Sequence, residues 1–144
     1  MRLVSSIGPY ALDMGINHLD GLSELSYLEY LAIPKVFVDE KIYTAPDIDF
    51  LGFTWNLALA VKDGRIYKIS PQVLTTNPDE ATGAFIAARK HLADKMGEPT
   101  ERNGSRLILR VTPGNAILEQ ARHGGVYCVQ FFITGGHLFN LGTL

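Results

Sequence analysis

Between Phe53 and Val61 the large apolar side chains fall on every second position. Phe53, Trp55, Leu57, Leu59 and Val61 alternate with small or polar Thr54, Asn56, Ala58 and Ala60. Successive side chains of a strand point to opposite faces, so this segment predicts a strand with one apolar and one polar side. Lys62-Asp63-Gly64-Arg65 follows at once. Asp-Gly favours the type I′ turn, whose two central residues both take positive φ. Ile66-Tyr67-Lys68-Ile69 then returns antiparallel. The resulting hairpin carries an apolar face that something else must cover.

The cover is legible downstream. Asn77-Pro78-Asp79-Glu80 offers an N-cap, a proline at the first helical position and two acids in the positive first turn. Ala81, Phe85, Ala88, Leu92 and Met96 recur at spacings of three and four and form one stripe, while Arg89, Lys90 and Lys95 face elsewhere. Gly97 and Pro99 supply a C-terminal stop. The pattern predicts one amphipathic helix over residues 78–96, lying across a sheet.

The flanks are mostly strand-like. Val36 to Tyr43 reads as a strand interrupted by Asp39-Glu40, and Ala45-Pro46-Asp47 as a turn. After a polar loop from Glu98 to Ser105, three strands follow: Arg106 to Val111, Ala116 to Arg122, and Val126 to Thr134. His123-Gly124-Gly125 makes a tight connection between the last two. Val126 to Thr134 is apolar on both sides, which suits a central position covered above and below. Leu138, Phe139 and Leu141 suggest that the glycine-containing tail docks. Near the start, Asn17-His18-Leu19-Asp20 reads as the opening of a short helix, with Leu19, Leu22 and Leu25 on one side. Together these segments predict an α+β chain, one domain over residues 1–144. It has an antiparallel sheet of about five to seven strands, one main helix packed on one face and a short N-terminal helix.

At 144 residues and 47% hydrophobic content, such a domain can bury a core without a metal or disulfide staple. Thirteen basic residues stand against 15 acidic ones, and Lys and Arg are scattered. That balance disfavours nucleic acid, which asks for a concentrated positive field. The apolar runs are too short for a secretory signal or a membrane helix, so a cytoplasmic protein without membrane contact is expected. The lone Cys128 excludes an intramolecular disulfide and fits a reducing compartment.

Motifs for chemistry are few. No Gly-x-Ser-x-Gly elbow, His-Glu-x-x-His or phosphate-binding glycine loop occurs, and His18, His91, His123 and His137 share no ligand spacing. Cys128 within an apolar strand reads as a small buried hydrophobe, and Trp55 as core. Asp47 and Asp49 read as a charged strand edge that blocks unwanted pairing. No catalytic residue, metal ligand or cofactor is therefore assigned. The binding candidates are Arg106 and Arg110, one face of a predicted strand, with Arg122 and Tyr67. Planar arginine forks suit carboxylate or phosphate partners, and aromatic side chains anchor interfaces. The expected function is a non-enzymatic protein-binding module, of inhibitor, immunity or accessory type, that uses a sheet face or edge. A homodimer through the edge strand near Val36 to Tyr43 is compatible with it. The alternative is a small-molecule-binding protein or enzyme with a pocket between helix and sheet, where Tyr43, Asp47, His91 or His123 would supply polar groups.

Overall fold

The computed structural model describes residues 6–17, 19–25, 40–96, 101–103, 106–108 and 116–134. In chain order these form β1 (Ser6–Ile7), β2 (Tyr10–Ala11), β3 (Ser23–Glu24), β4 (Lys41–Phe50), β5 (Phe53–Lys62), β6 (Arg65–Thr75), α1 (Pro78–Met96), β7 (Glu101–Asn103), β8 (Arg106–Ile108), β9 (Ala116–His123) and β10 (Val126–Thr134). A six-stranded antiparallel sheet of order β3-β4-β5-β6-β10-β9 is the frame. The α+β architecture is thus the one that the patterning predicts.

The β5–β6 hairpin turns at Asp63 (φ 54°) and Gly64 (φ 74°), as two positive-φ positions require. Trp55, Leu57, Leu59 and Val61 are buried on its inner face. They join Ile66, Ile69 and Val73 of β6 and Val129, Phe131 and Ile133 of β10 in one core. Helix α1 lies over this face against β6, β10 and β9. Its cap forms as its chemistry demands: the Asp79 amide donates to Asn77 Oδ1 at 2.9 Å, and the Ala81 amide to the Asn77 carbonyl at 3.1 Å. Ala81, Ala84, Ala88 and Leu92 are fully buried, while Phe85 is half-buried against the core. Three alanines on the buried stripe let the helix backbone approach the sheet closely. Trp55 donates its indole N–H to the Phe50 carbonyl at 2.7 Å and meets Phe131 edge to face, ring centres 5.4 Å apart.

The rest of the inner face is closed by the N-terminal segment. Ile7 and Tyr10, from the small β1–β2 sheet, are buried in the main core. The chain then runs beside the start of β6. The Asp13 amide donates to the Ile66 carbonyl (2.7 Å), the Ile66 amide to the Met14 carbonyl (2.9 Å), and the Ile16 amide to the Gly64 carbonyl (3.1 Å).

Three expectations need correction. No N-terminal helix forms over the described residues of 17–25; the Leu19 amide closes a turn on Ile16, Gly21 takes φ +77°, and Ser23–Glu24 pairs with β4. Ala45-Pro46-Asp47 is not a turn but part of β4, where the register with β5 shifts between Ala45 and Ile48. A bulge absorbs the extra residue, and Pro46 lies past the two residues that pair with β3, where its missing N–H leaves no gap in a ladder. The true turn is Leu51-Gly52, with φ +57° and +82°. Thirdly, Glu101–Asn103, expected as loop, pairs with Arg106–Ile108. The strand residues Val36 to Val38, the stop at Gly97 and Pro99, and the tail from Gly135 to Leu144 lie outside the described residues.

Candidate functional site

Helix α1 and the N-terminal segment cover the inner face, which leaves the outer one for a partner. Strand parity and register place Ile42, Thr44, Asp49, Thr54, Asn56, Ala58, Ala60, Lys68, Ser70, Gln72, Leu74, Cys128, Gln130 and Thr134 there. The face divides into two halves.

The first half is buried. Ile42, Ala60 and Tyr67 form a small second cluster, with Leu25 and Ala58 packed on it. Tyr67 reaches this side because the β5–β6 register shifts between Ala60 and Val61, which makes it the extra residue of a bulge. The Thr134 hydroxyl donates to the Tyr67 carbonyl at 2.9 Å and ties β10 to the bulge. Lys68 is only 5% exposed and Glu40 only 2%. Burial pushes the Lys68 amine below its ordinary value, and the neighbouring charge of Glu40 offsets only part of that shift.

The second half is open. Asn56, Gln72, Gln130 and Glu119 stand side by side on β5, β6, β10 and β9, a single cross-strand row. Gln130 donates its amide N–H to the Glu119 carboxylate. In the next row Leu74 faces Cys128 across β6 and β10, and Val126 lies two residues before Cys128 on the same side. Leu74 is 50% and Val126 42% exposed; with Ile86 on the helix they are the exposed large hydrophobics among the described residues. The Cys128 thiol points at the side-chain oxygens of Gln72 and Gln130, 3.8 and 3.9 Å away. Burial, and then the Glu119 charge, raise its pKa. A thiol held protonated is a poor nucleophile. What this half offers is a row of amides that both donate and accept, set beside exposed aliphatic surface, with the carboxylates of Glu119 and Asp49 at its two sides.

The four binding residues named from the sequence do not converge. Tyr67 is buried on the outer face of β6, whereas Arg122 shares the inner-face row with Tyr127 on the other side of the sheet. Arg122 is exposed, donates its Nε–H to the Gly124 carbonyl at 3.1 Å and lies over the Tyr127 ring at 5.4 Å, an arrangement that braces the β9–β10 turn. Arg106 opens β8 opposite Asn103, and Arg110 lies outside the described residues. Asp49 accepts from the Thr54 hydroxyl at 2.9 Å across the β4–β5 pair. The half-buried His91 meets Phe50 edge to face, ring centres 5.0 Å apart. Among the described residues no three His, Cys, Asp or Glu side chains gather as a metal-holding group, and no helix is long and apolar enough to cross a membrane.

The row of Gln72, Gln130 and Glu119 escaped sequence reading because it depends on β6 pairing with β10, which lies beyond α1 and three strands in the chain. Its one local signal was Asn56 on the polar side of the Phe53–Val61 alternation. Comparison with protein-family models, with curated proteins and with solved structures finds no match to this chain.

Proposed function

We propose that this chain is a non-enzymatic protein-binding module, of inhibitor, immunity or accessory type, that docks a protein on the open half of its outer sheet face. The observation that carries the reading is the placement of Leu74 and Val126, both exposed and adjacent on one face, beside the Asn56–Gln72–Gln130–Glu119 row. Interface centres are depleted of charge and enriched in apolar area, and their flanking amides provide hydrogen bonds that fix register. Leu74 and Val126 are the apolar anchors, and the amide row is the polar border. A cytoplasmic setting suits the single free thiol.

Packing favours this reading over a small-molecule pocket between helix and sheet. Ala81, Ala84, Ala88 and Leu92 are fully buried against Trp55, Leu59, Val129 and Phe131, all within one cluster. His91 packs on Phe50, and Tyr43 is half-buried against the same core. Those side chains are spent on structure.

Affinity capture with the immobilised wild-type chain, beside Leu74→Asp and Val126→Asp, tests the proposal. A partner recovered by the wild type should be depleted by about tenfold or more with either variant, since a charge in an apolar interface centre costs more than 1.4 kcal/mol. Equal recovery by all three chains removes the open half from consideration. An Arg106→Ala/Arg110→Ala chain that alone loses the partner would move the site to the arginines. A thermal-shift response to a metabolite or metal would revive the pocket.

A further inference from the structure

We propose that the partner docked on the open half-face is a cationic protein segment. It sets an aliphatic side chain on Leu74 and Val126 and a Lys or Arg against Asp47 and Asp49; the inference deepens the docking reading and rests on it. The bulge of β4 places the acids. Ala45 pairs with Leu57 and Ile48 with Trp55, all packed on the inner core. The two residues between them, Pro46 and Asp47, therefore both stand opposite outward Asn56. Asp49 lies outward beside Thr54, from whose hydroxyl it accepts at 2.9 Å. Both acids are exposed. The sheet register then carries Asp49 and Thr54 into the row of Leu74 and Cys128, and Asp47 into the row of Asn56, Gln72, Gln130 and Glu119.

Charge names the occupant. Asp47 and Asp49 on β4 and Glu119 on β9 are carboxylates, and no Lys or Arg of β4, β5, β6, β9 or β10 stands with them. Lys68 is in the buried half, Arg122 shares the inner-face row, Lys62 and Arg65 flank the β5–β6 turn, and Lys41 opens β4 at its far end. Arg102 and Arg106 belong to the separate β7–β8 pair beside β9, four strands away from Asp47 and Asp49. Nucleic acid and anionic membrane surfaces are repelled by such a face. A second copy brings its own acids. Stacked about a two-fold axis across the strands, β4 lies on β4; about one along them, β4 lies on the strand of Glu119. Like charges set opposite each other in an interface select against the pairing.

Spacing sets the pattern that the partner must show. Neighbouring strands lie about 4.8 Å apart, so Asp49 and Leu74, two strands from each other, stand about 10 Å apart. In an extended segment crossing the strands, alternate residues face the sheet at steps of about 6.6 Å. An aliphatic residue on Leu74 followed by cations two and four positions on brackets that distance.

The peptide Leu-Ser-Leu-Ser-Lys-Ser-Lys, labelled with a fluorophore, carries this pattern, and its counterpart has Glu for Lys. Anisotropy titrations against the whole chain should show the Lys peptide bound about tenfold or more tightly than the Glu peptide, with the preference shrinking as salt is added. Asp49→Lys should weaken binding of the Lys peptide by about tenfold, and Asp94→Lys, the same charge change at an exposed helix position, should leave it within about twofold. Circular dichroism and Trp55 fluorescence should be unchanged in both variants. Equal binding of the two peptides overturns the inference. So does an Asp49→Lys chain that binds as the wild type does, or an Asp94→Lys chain weakened as much as Asp49→Lys. A wild-type chain that doubles its mass in sedimentation, and loses the dimer with Leu74→Asp, gives the face to a second copy and also overturns it. Affinity capture separates the two readings. A partner lost with Leu74→Asp but kept by Asp49→Lys leaves the docking face standing without a cationic occupant; one kept by both variants removes the face itself.

Discussion

The Lys68 ammonium lies 4.7 Å from the centre of the Phe132 ring, on a face of the sheet where it is almost wholly withdrawn from water. Ring contact and the Glu40 charge favour the protonated amine, but desolvation is the larger influence and leaves its pKa below the ordinary 10.5. The sign of the consequence follows. In the interval between the lowered folded value and 10.5, the unfolded chain binds more protons than the folded one, so this group's contribution to stability rises with pH. Below that interval its penalty is complete. Replacing both buried charges, Lys68→Met with Glu40→Gln, should stabilise the fold at pH 7 by about 1–3 kcal/mol, in the range for buried pairs exchanged for neutral groups. Urea denaturation at successive pH values should show that advantage shrinking as pH approaches 10.5. A difference that stays constant would mean that burial of the amine is not its source.

Trp55 joins the end of one hairpin to the middle of the core. Its indole N–H reaches the Phe50 carbonyl at the base of the Leu51-Gly52 turn, and its ring packs against Phe131 of β10. Trp55→Phe retains most of the apolar area but deprives the Phe50 carbonyl of its donor, and should cost about 1–3 kcal/mol. Trp55→Ala removes a fully buried ring and should cost about 3–5 kcal/mol. Chemical denaturation followed by circular dichroism measures both. A Phe variant as costly as the Ala variant would show that the hydrogen bond, not the packing, dominates.

What could be read from the chain and what could not divide along range. The β5–β6 hairpin and α1 are specified by neighbours: alternation through Val61, Asp63-Gly64 at the turn, and Asn77-Pro78 at the cap. Local chemistry misled where tertiary packing outweighed it. Pro46-Asp47 has turn composition, yet the pairing of β4 with β5 holds it extended and a bulge absorbs the mismatch. Leu51 gives no turn signal and adopts φ +57° all the same, because Phe50 and Phe53 pair on either side of it and its side chain packs on the core. Leu19, Leu22 and Leu25 keep helical spacing, but the first two pack on the main core and the third on the outer-face cluster, which one helical face could not do. The open half-face is the least legible feature of all, since Gln72 and Gln130 meet only through a pairing between segments 58 residues apart.

Cys128 should be slow to react. Its thiol is half-buried, its pKa is raised first by burial and then by the Glu119 charge, and the Gln72 and Gln130 oxygens stand beside it. Alkylation by a maleimide at pH 7 should lag behind a free thiol, and the rate should still be climbing above pH 9 as the thiolate forms. Glu119→Gln removes one of the two causes and should bring the rise to lower pH, without abolishing the lag due to burial. An identical pH profile for Glu119→Gln and the wild type would assign the whole shift to desolvation.

Two glycines separate the cost of backbone strain from the cost of a collision. Gly52 (φ +82°) and Gly21 (φ +77°) both occupy the left-handed region, where a side chain costs about 1–2 kcal/mol. A Cβ on Gly52 would have open space around it, whereas one on Gly21 would come within 2.8 Å of Pro46 Cγ. Pro46 cannot swing aside as a long side chain would, because its ring is fixed to the bulge of β4. Gly52→Ala should therefore lose only the strain term, and Gly21→Ala should lose more, with the excess drawn from the contact between the N-terminal segment and β4. Hydrogen exchange would locate that excess at the Leu25 amide, which donates to the Ile42 carbonyl at 2.9 Å just beyond β3. Its protection should fall in Gly21→Ala and hold in Gly52→Ala. Equal losses of stability, with equal protection at Leu25, would mean that the approach of Gly21 to Pro46 does not hold the segment in place.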